Sequence, residues 1–174
     1  MRVNDRIVES GYRVLRGELT VPRSAGLCLQ MVRLVVEDAC DLAPYGFYRW
    51  RTHVVERAAT DDDSPWARDM ERSLKAAGMA VAEPTPDPKT REDRYVTMMH
   101  LASVAEPGDL LFRWDVAQTR AGTWIGHVGI LMPGNLVLEN IASSSRPESF
   151  QRQSTSLTPI QNFRVTLAAR FLPS

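Results

Sequence analysis

The chain is short of the residues that most often reveal a function. Its 174 residues include only two cysteines and three histidines. Cys28 and Cys40 are too few to frame the disulfide scaffold of a small secreted domain, and no paired Cys-x-x-Cys zinc site exists. A single bridge is excluded if both lie on one helix. Twelve positions then separate them, about 18 Å, where a disulfide spans roughly 7 Å between Cα atoms. Charge of one sign is also missing, since 21 Lys and Arg balance 21 Asp and Glu. Without a basic surplus to neutralise phosphates, no nucleic-acid partner is expected. No apolar stretch approaches the ~18–20 residues that cross a bilayer, so no membrane span is expected. The start, MRVNDRIVESGYRVLRGEL, holds no apolar run of the signal-peptide kind, and the chain is expected to stay in the cytoplasm. A P-loop and a dinucleotide fingerprint are absent, and no cofactor or metal is expected. Asp61, Asp62 and Asp63 read as an acidic helix start rather than a cation site.

What is present suits one domain. Hydrophobic residues make up 44% and charged residues 24%, enough to bury a core. Ile7, Val8, Tyr12, Val14 and Leu15 give residues 1–20 an amphipathic helical pattern. After Pro22 and Gly26, the apolar positions Leu27, Met31, Leu34, Val35 and Ala39 recur at helical spacing, and the helix ends near Asp41, before Pro44 and Gly46. A further helix is predicted from Pro65 to Ala77, stopped by Gly78. Pro84, Pro86 and Pro88 make an extended linker, and Arg91 to Ser103 a helix; together, 60–106 read as a helical and linker insertion. Then the texture changes. Strands are predicted over Leu110–Trp114, Ile125–Met132 and Leu136–Ala142, the last two joined by the turn Pro133-Gly134-Asn135. A polar loop covers 115–123, and a Ser-rich loop Ser143–Pro159. Asn162–Leu172 forms a final strand, with Phe163, Val165, Leu167 and Ala169 alternating. Helices followed by antiparallel strands make an α+β fold.

Two residues stand out chemically. A thiol is a nucleophile only as thiolate, and a helix N-terminus favours the thiolate because its unpaired N–H groups attract negative charge. Cys28 lies in the first turn of its helix. The competing interpretation is a small apolar residue in a buried face. Cys40, at the other end of that helix, reads as packing. A nucleophilic cysteine needs a base. His53 lies in an ambiguous charged segment and His100 in a predicted helix, and both read as surface or packing residues. His127 instead sits in a strand, GHVGI, with Gly126 and Gly129 close by. Strand glycines permit the close approach of another backbone or a ligand. Tyr45, Phe47, Tyr48 and Trp50 read as core rather than groove.

Three segments in order, Cys28 with LQMVR, then GDLLF at 108–112, then GHVGI at 126–130, resemble the NlpC/P60 peptidases and their CHAP relatives. The resemblance covers roughly residues 20–145. It implies a papain-like fold, a helical N-terminal half carrying the nucleophile Cys28 and a strand carrying the base His127. It also implies a third polar residue on the next strand that orients the imidazole. The turn leaves Met132 opposite Leu136, hence Gly129 opposite Glu139, so His127 and Glu139 share one face as diagonal neighbours. Glu139 is preferred; a two-residue turn would put Asn140 there instead. The sequence departs from the NlpC/P60 pattern around the nucleophile, where Leu27 and Leu29 replace the usual Asp before it and Ser-Gly after it.

The expectation is thus a cysteine hydrolase that cleaves an amide bond, by resemblance in peptidoglycan, as an endopeptidase or amidase of phage-lysis type released by a route other than a signal peptide. Two alternatives keep the papain-like scaffold. One is a catalytically decayed binding or structural module. The other is an acyltransferase or deamidase.

Overall fold

The computed structural model describes residues 1–21, 27–47, 49, 67–83, 99–101, 103–113, 126–142, 153–163 and 165–172. Within them, helices α1 (Val3–Leu15), α2 (Leu27–Cys40) and α3 (Ala67–Ala76) accompany six strands. The strands are β1 (Ala80–Ala82), β2 (Leu110–Arg113), β3 (His127–Met132), β4 (Leu136–Ala142), β5 (Gln153–Pro159) and β6 (Val165–Ala169). They form one sheet in the order β1-β6-β2-β3-β4-β5, every neighbouring pair antiparallel. The α+β class expected from the sequence is therefore the observed one. No helix among the described residues is long and apolar enough to cross a membrane.

The helices form where the apolar spacing places them. Met31, Val35 and Ala39 of α2 are buried, but so are Leu29, Val32 and Val36, so α2 is enclosed on more than one side. Its polar residues are enclosed with it: Arg33 donates to Glu37 across one turn at 2.6 Å, and Glu37 accepts the Phe47 N–H. Phe47 is fully buried against Phe171, as expected of a core aromatic, whereas Tyr45, expected in the core as well, is exposed. Helix α1 crosses the sheet closely at Gly11, where a Cβ would stand 3.1 Å from Leu138 and 3.2 Å from Met132. It is bound to α2 by Arg13 and Ser10, both donating to Asp38. Helix α3 ends at the foreseen glycine: Gly78 takes φ +71°, and Met79 N–H returns to the Leu74 carbonyl, closing the last turn.

One sheet face is covered by the helices. Leu110, Phe112, Val128, Ile130, Met132, Leu138, Leu167 and Ala169 point into this principal core. The other face carries Leu111, Leu131, Val137, Val165 and Ala168, packed with Leu101, Ile160 and Phe163. Central strands buried on both sides lose their polar alternation, which is why Ala168 is as buried as Ala169.

Three strands depart from the sequence expectation. The final strand, expected over Asn162–Leu172, is confined to Val165–Ala169, and Asn162 ends a 3-10 turn before it. Gln153–Pro159, expected within a loop, is the edge strand β5, paired along its length with β4. Its Ser and Thr side chains are mostly part-exposed, so backbone ladder bonds hold it where apolar burial does not, and no hydrophobic pattern marks it. Pro159 is tolerated because it ends an edge strand. Strand β1 is only three residues long and pairs with β6, too short to show a period. Of the helix expected at Arg91–Ser103, residues 99–101 and 103–104 are helical. The rest of it lies outside the described residues, as do Pro84–Pro88, the 115–123 loop and Asp61–Asp63.

Candidate active site

Helix α2 brings Cys28, in its first turn, to the start of β3. The reason lies in the strand's hydrogen bonding. Leu131 donates its N–H to Asp109 on the β2 side. Amide directions alternate along a strand, so Val128 directs its N–H toward β4. There the β3–β4 ladder ends at Ile130↔Leu138, and the Val128 N–H binds the Cys28 sulfur instead, as does the N–H of Leu29 in the helix's own first turn. The sulfur thus sits on two backbone donors, which favour its thiolate form.

His127 is the first residue of β3. The chain reaches it through Gly126 at φ +68°, a left-handed conformation that glycine adopts without strain. Gly129 allows β4 to come close: a Cβ there would stand 2.6 Å from Val137 Cγ1 and 2.8 Å from the Leu138 carbonyl oxygen. The register of that hairpin is Met132↔Leu136, as the three-residue turn predicts. It puts Glu139 on the face of His127, and His127 Nε2 meets Glu139 Oε2 at 2.8 Å. Asn140, buried next to it, alternates onto the opposite face; the two-residue turn that would have exchanged them is not the one formed. With Nε2 engaged, Nδ1 is the nitrogen left for Cys28, to which the ring is hydrogen-bonded.

The electrostatics follow from this chain of contacts. Burial pushes the Cys28 thiol up, but the His127 charge, its hydrogen bond and the two backbone donors outweigh it, and the thiol lies below its ordinary range. Burial likewise opposes a charged His127, yet the facing Cys28 sulfur and Glu139 raise it to about 9. Glu139 is 1% exposed. Burial would raise its carboxyl, but the hydrogen bonds of His127 and Thr158 and the charges of His127 and Arg113 hold it below the usual range. All three shifts act in the same sense, favouring thiolate, imidazolium and carboxylate.

The other sulfur and imidazole positions are unlike this one. Cys40 is free, part-buried against the principal core, and its thiol is pushed up by burial. His100 is exposed. His53 lies outside the described residues, with Tyr48 and Trp50. Among the described residues no group of three acidic, His or Cys side chains is placed to hold a metal ion. Sequence reasoning missed three contributors: Thr158, Phe163 and Arg113. Thr158 fell in the supposed loop. Phe163 was counted only as a strand residue, but its ring lies 5.6 Å from that of His127. Arg113 is the cross-strand partner of His127, a pairing that the long intervening segment hides. Compared with family models, curated proteins and solved structures, the chain matches none.

Proposed function

We propose that the protein is a cysteine hydrolase of papain-like arrangement that cleaves an amide bond. The observation that carries this is the continuous contact Cys28–His127–Glu139, with Cys28 at a helix start and the other two on facing strands. In the proposed reaction the Cys28 thiolate attacks the amide carbonyl carbon. The developing oxyanion requires N–H donors at the helix start. His127 gives its proton to the leaving nitrogen as the C–N bond breaks, leaving a thioester on Cys28. A water then attacks the thioester carbon while His127 takes its proton, releasing the acid and restoring the ion pair. Glu139 orients the ring and favours its charged form. The order of the LQMVR, GDLLF and GHVGI segments supports peptidoglycan as the source of the amide.

Iodoacetamide labelling of Cys28 against pH, read by mass spectrometry, tests the pair. Labelling with a midpoint well below the ~8.5 of a free thiol, lost from that range in His127→Ala, is the expected result. An inert Cys28 in folded protein overturns the proposal. Release of soluble fragments from purified cell walls should fall about 10³-fold or more in Cys28→Ala; equal release sinks the hydrolytic role.

A further inference from the structure

Arg113 ends β2 directly across from His127. Its guanidinium lies over the Phe163 ring, 5.1 Å from the centroid, and the same ring flanks His127. The group is thus held on the Glu139 side of His127, and its side chain is 29% exposed. Its only polar contact among the described residues is Glu139 Oε2 at 3.9 Å, beyond hydrogen-bond distance. That carboxylate is already bonded to His127 and Thr158. An arginine carries five N–H donors in a planar fork that matches a carboxylate. Here the fork is held by stacking and its donors have no acceptor within reach among the described residues.

We infer that Arg113 binds a carboxylate of the substrate beside His127, so that the preferred substrate is an acidic peptide or amide. This rests on the cysteine-hydrolase proposal and adds to it the charge of the substrate. A buried carboxylate–guanidinium contact is strong and directional. The exposed part of Arg113 opens it to a ligand, while Phe163 beneath it limits the orientations it can take. Arg113 forms an ion pair with Glu139 at 3.9 Å, but at that separation the contact is electrostatic and uses none of the fork's N–H donors in a hydrogen bond.

The test uses two alkylating reagents of nearly the same shape. Iodoacetate carries a carboxylate and iodoacetamide a neutral amide; in both, the Cys28 sulfur–carbon bond forms as the carbon–iodine bond breaks and iodide leaves. The ratio of their Cys28 labelling rates at pH 7, compared with the ratio for glutathione, cancels any change in thiolate fraction. In the full-length protein the ratio should exceed that of glutathione, and Arg113→Gln should lower it by about tenfold or more. His127 is present in both proteins, so its own attraction for the anion drops out of the comparison. Should Arg113→Gln fail to fold, Arg113→Met keeps the stacking over Phe163 and reads the same quantity. A ratio unchanged in the folded variant overturns the role of Arg113 and leaves the hydrolase proposal standing. No labelling of wild-type Cys28 by either reagent below the free-thiol range overturns both.

Discussion

At the scale of single residues, the contacts of His127 with Cys28 and Glu139 make two pH predictions. His127 is raised from 6.5 to about 9, so its charged form is favoured in the folded state. Stability from that term is complete below pH 6.5 and is lost as the pH rises through about 9. Glu139 is lowered from 4.5, so its term is complete above pH 4.5 and is lost as the pH falls through the depressed folded value. The two windows overlap between pH 4.5 and 6.5. Urea denaturation of wild type and Glu139→Gln should therefore differ most in that interval, with the difference shrinking on either side; a difference independent of pH would mean the pair is not ionised. The same substitution removes one of the contacts that raise His127. Turnover that needs the imidazolium as acid should decline near pH 9 in wild type and at lower pH in Glu139→Gln. Identical alkaline limbs would show that Glu139 does not act on the ring.

At the scale of elements, the site depends on how closely β3 and β4 run. Gly129→Ala would drive a methyl to 2.6 Å from Val137 and 2.8 Å from backbone, a conflict a side-chain rotation cannot fully relieve. The hairpin must open, at about 1–3 kcal/mol, and His127 moves away from Glu139. Chemical denaturation should register the loss of stability. Cys28 labelling should shift toward the midpoint of an ordinary thiol; a shift in neither overturns the assignment of close packing there. This hairpin was the most legible part of the sequence. The Pro-Gly-Asn turn fixed its register, and register alone selected Glu139 over Asn140. Helices α1, α2 and α3 were legible from apolar spacing and from Gly78. The edge strand β5 was not, because a Ser- and Thr-rich strand held by ladder bonds carries no hydrophobic signature. Nor was Arg113: strands adjacent in the sheet but separated by a long segment leave no local trace of their pairing. The contact of Cys28 with Val128 depends on where the β3–β4 ladder stops, which no pattern of side chains announces.

At the scale of the whole molecule, the GDLLF segment has a mainly structural role. Gly108 takes φ +97°, and a Cβ there would stand 2.6 Å from the Asn4 carbonyl oxygen. The fully buried Asp109 accepts from Asn4 at 2.8 Å, from Arg170 at 2.9 and 3.0 Å, and from the Glu106 N–H at 2.9 Å. One carboxylate thereby joins the start of α1, the start of β2 and the residue that leaves β6. Asp109→Ala removes every acceptor at once and leaves buried donors behind. The expected cost is roughly 3–5 kcal/mol, a fall in Tm of about 10 °C for a chain of this length, measured by calorimetry. The reacting groups should be spared. Leu110 starts β2 next to the clamp and Arg113 ends it next to His127, so the two sites lie at opposite ends of the strand, about 10 Å apart. Below its lowered Tm, Asp109→Ala should therefore alkylate Cys28 with the wild-type pH midpoint. A midpoint that moved with stability would mean the thiolate depends on the clamp as well as on β3. An unmoved midpoint with a depressed Tm would separate what holds the molecule together from what activates its cysteine.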